Sequence, residues 1–363
     1  MRRKVQILFP SEWVAYSPTI LNLVTALRED FEVFVTAFDN GKYNNNQLDP
    51  KVFHLIRIPY VFFLILAFFG AYSWFKTLLL RRSIQKDKSR LLIGVDKIGF
   101  EAALRCSRSA HFLSLELNKN NSFIHSKIDN ISSIAIQSNE RLEYLFPDKK
   151  PDNIFILPNS LPFIPPKRIS NNFNKNFFNI IFLGNAIPSH GIFICIDAVH
   201  DTPFTKLTIK GPINYKNRTK IENNYKNLIK SGRLHIDSSY VNQDDLINYL
   251  QNFDAGFCFY DFNRISKDDF NYQSSPSGKM YAYFTAAVPI IGSDIIGLKP
   301  VREFSAGVLL KELSTKNIKK SIYDLRTDYH YYQNGCISAS KFFDFNLHVQ
   351  RYKQFLLKDI PIS

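Results

Sequence analysis

Short runs of apolar residues alternate along this chain with longer stretches whose apolar side chains recur at helical spacing. Val5–Phe9 reads as a strand, Pro18–Arg28 as a helix, and Phe31–Ala37 and Val52–Ile58 as strands again. Leu91–Val95, Ala110–Leu115 and Ile131–Gln137 follow as strands, each with a helical stretch after or near it, and Asn153–Pro158 closes this half. The asparagine-rich stretch Asn159–Asn176, with Pro162, Pro165 and Pro166, breaks the pattern and reads as a linker. The alternation then restarts. Phe178–Leu183, Lys206–Lys210, Leu234–Ile236, Ala255–Tyr260, Val288–Gly292 and Gly307–Leu310 are strand-like, with helices at Ile192–Val199, Arg218–Lys230 and Asp244–Gln251 between them. Apolar strands separated by amphipathic helices predict parallel sheets with crossover helices.

A length of 363 residues suits two such α/β domains better than one core. The expected fold is α/β, with two Rossmann-like doubly wound domains facing each other across a cleft. Residues 1–160 form the first, 161–176 the linker, 177–338 the second, and 339–363 a helical segment that returns to the first. Open parallel sheets hold ligands at the carboxyl ends of their strands, so the cleft is the expected site.

Composition changes this picture little. With 45% hydrophobic and 21% charged residues the chain is globular. Cys106, Cys195, Cys258 and Cys336 are far apart and show no metal-ligand or disulfide spacing, which fits a reduced compartment. Met1–Lys4 runs straight into a strand without a signal-peptide pattern, so a cytoplasmic location is expected. The net charge of +14 calls for an anionic partner. No zinc finger, RNP-like motif or helix-turn-helix is visible, so no nucleic acid is expected. Ile58–Phe75 carries no charged side chain and is followed by Lys76, Arg81, Arg82, Lys86, Lys88 and Arg90. It holds Pro59 and Gly70 and sits between strands of one sheet, which disfavours a span of about 20 residues. It reads as a crossover helix, buried or dipping into an anionic membrane surface through Ile58–Arg90.

The most informative stretch is Ser274–Leu298, SSPSGKMYAYFTAAVPIIGSDIIGL. Ser275 suits an N-cap and Pro276 a first helical turn, with Ser277, Gly278 and Lys279 behind. Free amides, the helix dipole and the Lys279 ammonium would make a phosphate site. An ordinary capped helix with a solvent-facing lysine is the plain alternative. The stretch resembles the donor-binding signature of retaining GT-B glycosyltransferases, family 4 and its relatives, with Pro289, Ser293, Asp294 and Gly297 on signature positions. Phe182–Gly191 (FLGNAIPSHG) is similar to that family's glycine loop, Leu207–Gly211 (LTIKG) to its next strand, Asp254–Tyr260 (DAGFCFY) to the strand before the donor loop, and Leu157–Asn159 (LPN) to the start of its linker.

The resemblance implies that the second domain binds a nucleoside diphosphate sugar through Gly184, Asn185, Gly211, Ser274, Ser275, Ser277, Gly278 and Lys279. Lys279 and His190 would stabilise the leaving diphosphate, with no metal and no further cofactor. Two family glutamates are replaced by Ser274 and Ala282, and the glycine loop has Asn185 and His190 where an Arg and a Lys are usual. Ribose binding then comes from elsewhere. The first domain would bind the acceptor through the loops PSEWVAYS and VDKIG, with Glu12, Trp13, Asp96 and Glu116 as candidates. Asp96 serves as general base in an inverting reaction, orients the acceptor in a retaining one, or simply caps a helix. The implied activity is sugar transfer, with retention, to a glycan or lipid-linked acceptor in bacterial surface polysaccharide or lipopolysaccharide synthesis. The alternatives are a non-catalytic glycosyltransferase-like partner subunit and a sugar-nucleotide epimerase of the same architecture.

Overall fold

The computed structural model describes residues 2–41, 43, 45–59, 61, 68, 71–84, 90–118, 121–166, 177–239 and 241–359. In the apolar stretch and the cations after it, residues 60, 62–67, 69–70 and 85–89 lie outside these, as do 167–176 of the expected linker. The chain divides into two units, Met1–Asn159 with Phe345–Ser363, and Ser160–Asp344.

The first unit is built on seven parallel strands, β1 (Arg3–Leu8), β2 (Phe31–Asp39), β3 (Phe53–Arg57), β4 (Leu91–Val95), β5 (Ala110–Ser114), β6 (Ile131–Ile136) and β7 (Ile154–Ile156). They lie in the order β3-β2-β1-β4-β5-β6-β7. Every residue of β4 is buried, as expected of a strand covered on both faces. The helix Phe345–Lys358 joins this core through Phe345, Val349, Tyr352 and Leu356, a spacing that sets all four on one helical face. Lys353 on that helix pairs with Glu29 and, at 2.8 Å, with Asp30.

The second unit repeats the design with β8 (Phe178–Leu183), β9 (Thr205–Lys210), β10 (Leu234–Asp237), β11 (Ala255–Cys258), β12 (Ile290–Ser293) and β13 (Gly307–Leu310), in the order β10-β9-β8-β11-β12-β13. Both sheets are therefore doubly wound and Rossmann-like. The strand order reverses between β1 and β4 in one and between β8 and β11 in the other, and ligands of such sheets bind beyond the strand ends at that reversal. The candidate residues sit at these two places and at the ends of the adjoining strands β5 and β9.

Two local expectations change. The polar helix at 218–230 is two helices, Tyr215–Asn224 and Lys226–Lys230, the first capped by Asn214. The helix of the donor stretch begins at Gly278 and runs to Ala286 with Ser277 in the cap position, so Ser275 does not cap it. The Ser275 hydroxyl instead stands 3.2 Å from that of Tyr260. The helix stops at Ala287, in the left-handed region at φ 55°, two residues before Pro289.

Candidate functional site

In the second unit the candidates gather around the ends of β8 and β9. Gly184 and Gly211 follow these strands at φ 96° and 137°, and a β-carbon on Gly211 would stand 2.5 Å from the Gly184 carbonyl oxygen. Only glycine permits both the backbone angle and this contact. The Gly184 N–H donates to the Lys210 carbonyl at 2.8 Å, and that of Gly211 to the Asp237 carbonyl at 3.1 Å. The Lys279 side chain runs alongside, its Cδ 3.6 Å from where a Gly184 β-carbon would be. Its Nζ lies 5.8 Å from the Phe182 ring and 5.9 Å from the Tyr260 ring. Among the described residues it makes no ion pair.

Lys279 is the second residue of its helix, so the ammonium adds to first-turn amides that have no intrahelical acceptor. No side chain caps that helix start, and Ser277 is buried there. Gly278 opens the helix. Ser274 is turned away, its hydroxyl donating to the Phe270 carbonyl at 2.6 Å. Asn185 is exposed, and its carbonyl lies 3.1 Å from Nδ1 of His190, which ends the turn Pro188–His190. Burial, aided by the Lys279 charge, pushes the His190 pKa down to about 4. His190 therefore meets the diphosphate as a neutral ring near pH 7, because a half-buried imidazole beside an ammonium resists a second positive charge. Ala282, where the family glutamate would be, is buried in the apolar core of this unit.

In the first unit, Asp96 comes directly after β4 with its backbone at φ 50°, a conformation non-glycine residues seldom take. Its Oδ1 accepts the N–H groups of Leu115 at 2.8 Å and Glu116 at 2.9 Å. Burial raises its pKa to about 7, the Glu116 charge adding to the rise and these N–H groups and Arg141 opposing it. Asp96 does not cap this helix: Val95 holds the cap position, Asp96 is the first helical residue, and no side-chain capping bond is made there. Arg141 is buried with a guanidinium nitrogen 2.8 Å from the Leu115 carbonyl. Glu116 itself is exposed.

Glu12 and Trp13 lie in the loop after β1, the neighbour of β4. Trp13 packs edge-on to Phe9 at 5.0 Å, partly buried against the core. Glu12 Oε1 takes Lys76 Nζ at 2.7 Å and the Tyr72 hydroxyl at 2.8 Å. The Lys76 ammonium also reaches the Pro10 carbonyl at 2.6 Å, and Asn45 donates to the Glu12 carbonyl at 2.8 Å. Lys76 thus leaves the row of cations offered to a membrane, and so does Arg90, buried with its guanidinium 2.7 Å from Gln6 Oε1. Arg81 and Arg82 remain exposed, as does Trp74.

Sequence reasoning missed Lys76, Tyr72, Arg141 and Tyr260 as parts of these sites. Among the described residues no helix is long and apolar enough to cross a membrane, and no group of histidine, cysteine and carboxylate side chains is arranged to hold a metal.

No family model matches the chain, and no curated protein matches it by sequence. Solved structures do match. An E. coli structure described as trehalose-6-phosphate bound with UDP-2-fluoro glucose aligns with a TM-score of 0.65 at 11% identity, over 99% of this chain and 100% of its own. A UDP-N-acetylglucosamine 2-epimerase aligns with a TM-score of 0.62 at 16% identity, over 100% of this chain and 99% of its own. The pneumococcal O-GlcNAc transferase GtfA, in complex with UDP and GlcNAc, aligns with a TM-score of 0.57 at 14% identity, over 78% of this chain and 60% of its own. The chain has the two-domain Rossmann-like α/β fold of these proteins.

Proposed function

We propose that the chain is a glycosyltransferase that moves a sugar from a nucleoside diphosphate sugar to a glycan or lipid-linked acceptor. The observation that carries this reading is the set of groups at the β8–β11 reversal. Lys279, uncapped helix amides, a close-packed pair of left-handed glycines and a neutral His190 all suit a diphosphate. The structures bearing the same fold include proteins solved with UDP and a UDP-sugar analogue, which supports a uridine nucleotide as the first to test. The reaction calls for no metal, since protein groups meet the charge that builds up on the leaving diphosphate.

The finer reading follows the family resemblance: retention at the anomeric carbon, and bacterial surface polysaccharide or lipopolysaccharide synthesis. It places the protein in the cytoplasm, peripheral on the membrane's inner face through 58–90, where Trp74, Arg81 and Arg82 are exposed. Asp96 and Glu12 then address the acceptor, Asp96 orienting the attacking hydroxyl under retention and deprotonating it only if the reaction inverts. Incubation with a panel of nucleotide-sugars tests the reading: one of them should raise the melting temperature, and Lys279→Ala should abolish the rise. Stabilisation by none of them overturns it. Ala282 in place of the ribose-binding glutamate favours a second reading, a partner subunit that binds without turnover, which product analysis with a binding nucleotide-sugar would separate.

A further inference from the structure

The candidate donor residues lie on separate stretches of the second unit, and the segment Tyr260–Asp261 joins these stretches. Tyr260 follows β11. Its N–H donates to Ser293 Oγ at 2.9 Å, and the same hydroxyl donates back to its carbonyl at 3.0 Å, fixing it to the end of β12. The next residue, Asp261, donates its N–H to the Ser189 carbonyl at 2.8 Å, which ties the segment to the turn carrying His190. The Tyr260 ring meets the His190 imidazole edge-on at 5.6 Å. Its hydroxyl is 3.2 Å from Ser275 Oγ, and the Lys279 ammonium is 5.9 Å from its ring.

A phenylalanine would fill this space as well, so the hydroxyl matters only through what it touches. A buried tyrosine hydroxyl needs a partner, and here the partner is on the turn that precedes the Lys279 helix. The ring also covers one side of His190. The other groups facing that imidazole are the Lys279 ammonium and the Asn185 carbonyl, while the nearby Asp261 carboxylate is engaged by Arg264 at 3.2 Å.

We propose that Tyr260 is a positioning residue of the donor site, its hydroxyl setting Ser275 and its ring holding the His190 imidazole in one orientation beside Lys279. This rests on the glycosyltransferase reading, and two variants test it. Nucleoside diphosphates of uridine, guanosine and adenosine are titrated calorimetrically into wild type, Tyr260→Phe and Tyr260→Leu, and the His190 imidazole is followed by NMR across pH, assigned through His190→Gln. Tyr260→Phe should bind the preferred diphosphate about tenfold more weakly with the His190 titration unchanged. In Tyr260→Leu the titration should move from about 4 toward the ordinary histidine value near 6.5, which loss of packing alone elsewhere would not cause. Wild-type affinity in the nearly isosteric Tyr260→Phe overturns the proposal, and so does an unmoved His190 titration in a folded Tyr260→Leu. If wild type itself binds no diphosphate, the glycosyltransferase reading falls, and this proposal with it.

Discussion

Lys279 lies against Gly184 with its ammonium close enough to His190 to help hold that imidazole neutral, an effect second only to burial. The free protein at pH 7 therefore offers a diphosphate one cation and one neutral ring. An arriving dianion opposes the Lys279 field, so binding should raise the His190 pKa and draw up protons as the pH approaches it. Lys279→Ala should weaken nucleoside diphosphate binding by about 1.5–3 kcal/mol, the range for a hydrogen bond to a charged group, and His190→Ala by about 1 kcal/mol at pH 7. Calorimetric titration at pH 5 and 7 measures both, with the His190→Ala loss larger at pH 5. Equal affinity in wild type and Lys279→Ala would move the diphosphate elsewhere.

Gly297 backs the donor turn so closely that a β-carbon there would stand 2.1 Å from the Ser275 carbonyl oxygen. The backbone must yield, since that contact is not with a flexible side-chain end. Gly297→Ala should cost about 1–3 kcal/mol of stability, the usual range for overpacking, and should weaken diphosphate binding as well. A chemical denaturation curve gives the first and titration the second. Binding equal to wild type in Gly297→Ala would show that the turn at 274–277 does not shape the donor site.

The buried pair Lys76–Glu12 makes a stability prediction for the first unit. Burial lowers the Lys76 pKa while Glu12 opposes this, and both partners hold the loop after β1. Removing one partner leaves the other charge uncompensated, so Lys76→Met should cost about 3 kcal/mol. Lys76→Met with Glu12→Gln should recover a large part of it, because no buried charge is then left alone. Urea titrations of the two singles and the double close this cycle, and additive losses would reject the coupling.

The two parallel sheets were legible in the sequence because strands such as the fully buried LLIGV at β4 and the mostly buried FNIIFL at β8 show as apolar runs between amphipathic helices. Gly184 and Gly211, which directly follow strands, were legible only through the likeness of FLGNAIPSHG and LTIKG to the family's glycine loop and next strand. The start of the helix Gly278–Ala286 was not. Ser275-Pro276 has the residue types of a cap, but Ser275 is bonded across the unit to Tyr260, a contact between loops that no local pattern encodes. Lys76 was hidden in a different way. In sequence it heads a row of cations after an apolar run, and only the fold brings Glu12, 64 residues away, against it.

Asp96 joins function and stability in one substitution. Its carboxyl, raised to about 7 chiefly by burial, holds its proton in the folded chain over a pH range where the unfolded chain has already released it. Between about pH 4 and 7 the folded state therefore binds more protons than the unfolded one, and stability contributed by this group falls as pH rises through that window. Asn cannot ionise, tolerates the left-handed backbone at φ 50°, and can accept the same N–H groups from Leu115 and Glu116 through its carbonyl. Asp96→Asn should therefore melt higher than wild type at pH 8, with the gap closing near pH 4. If Asp96 takes the acceptor proton, the same variant should lose about 10²–10⁴-fold in transfer rate with nucleoside diphosphate affinity unchanged, and wild-type rate should fall as pH drops below about 7. Loss of rate without the gain in melting temperature would deny the raised pKa. A stabilised variant that still transfers sugar at full rate would leave Asp96 as a strained structural residue and pass the acceptor role to Glu12.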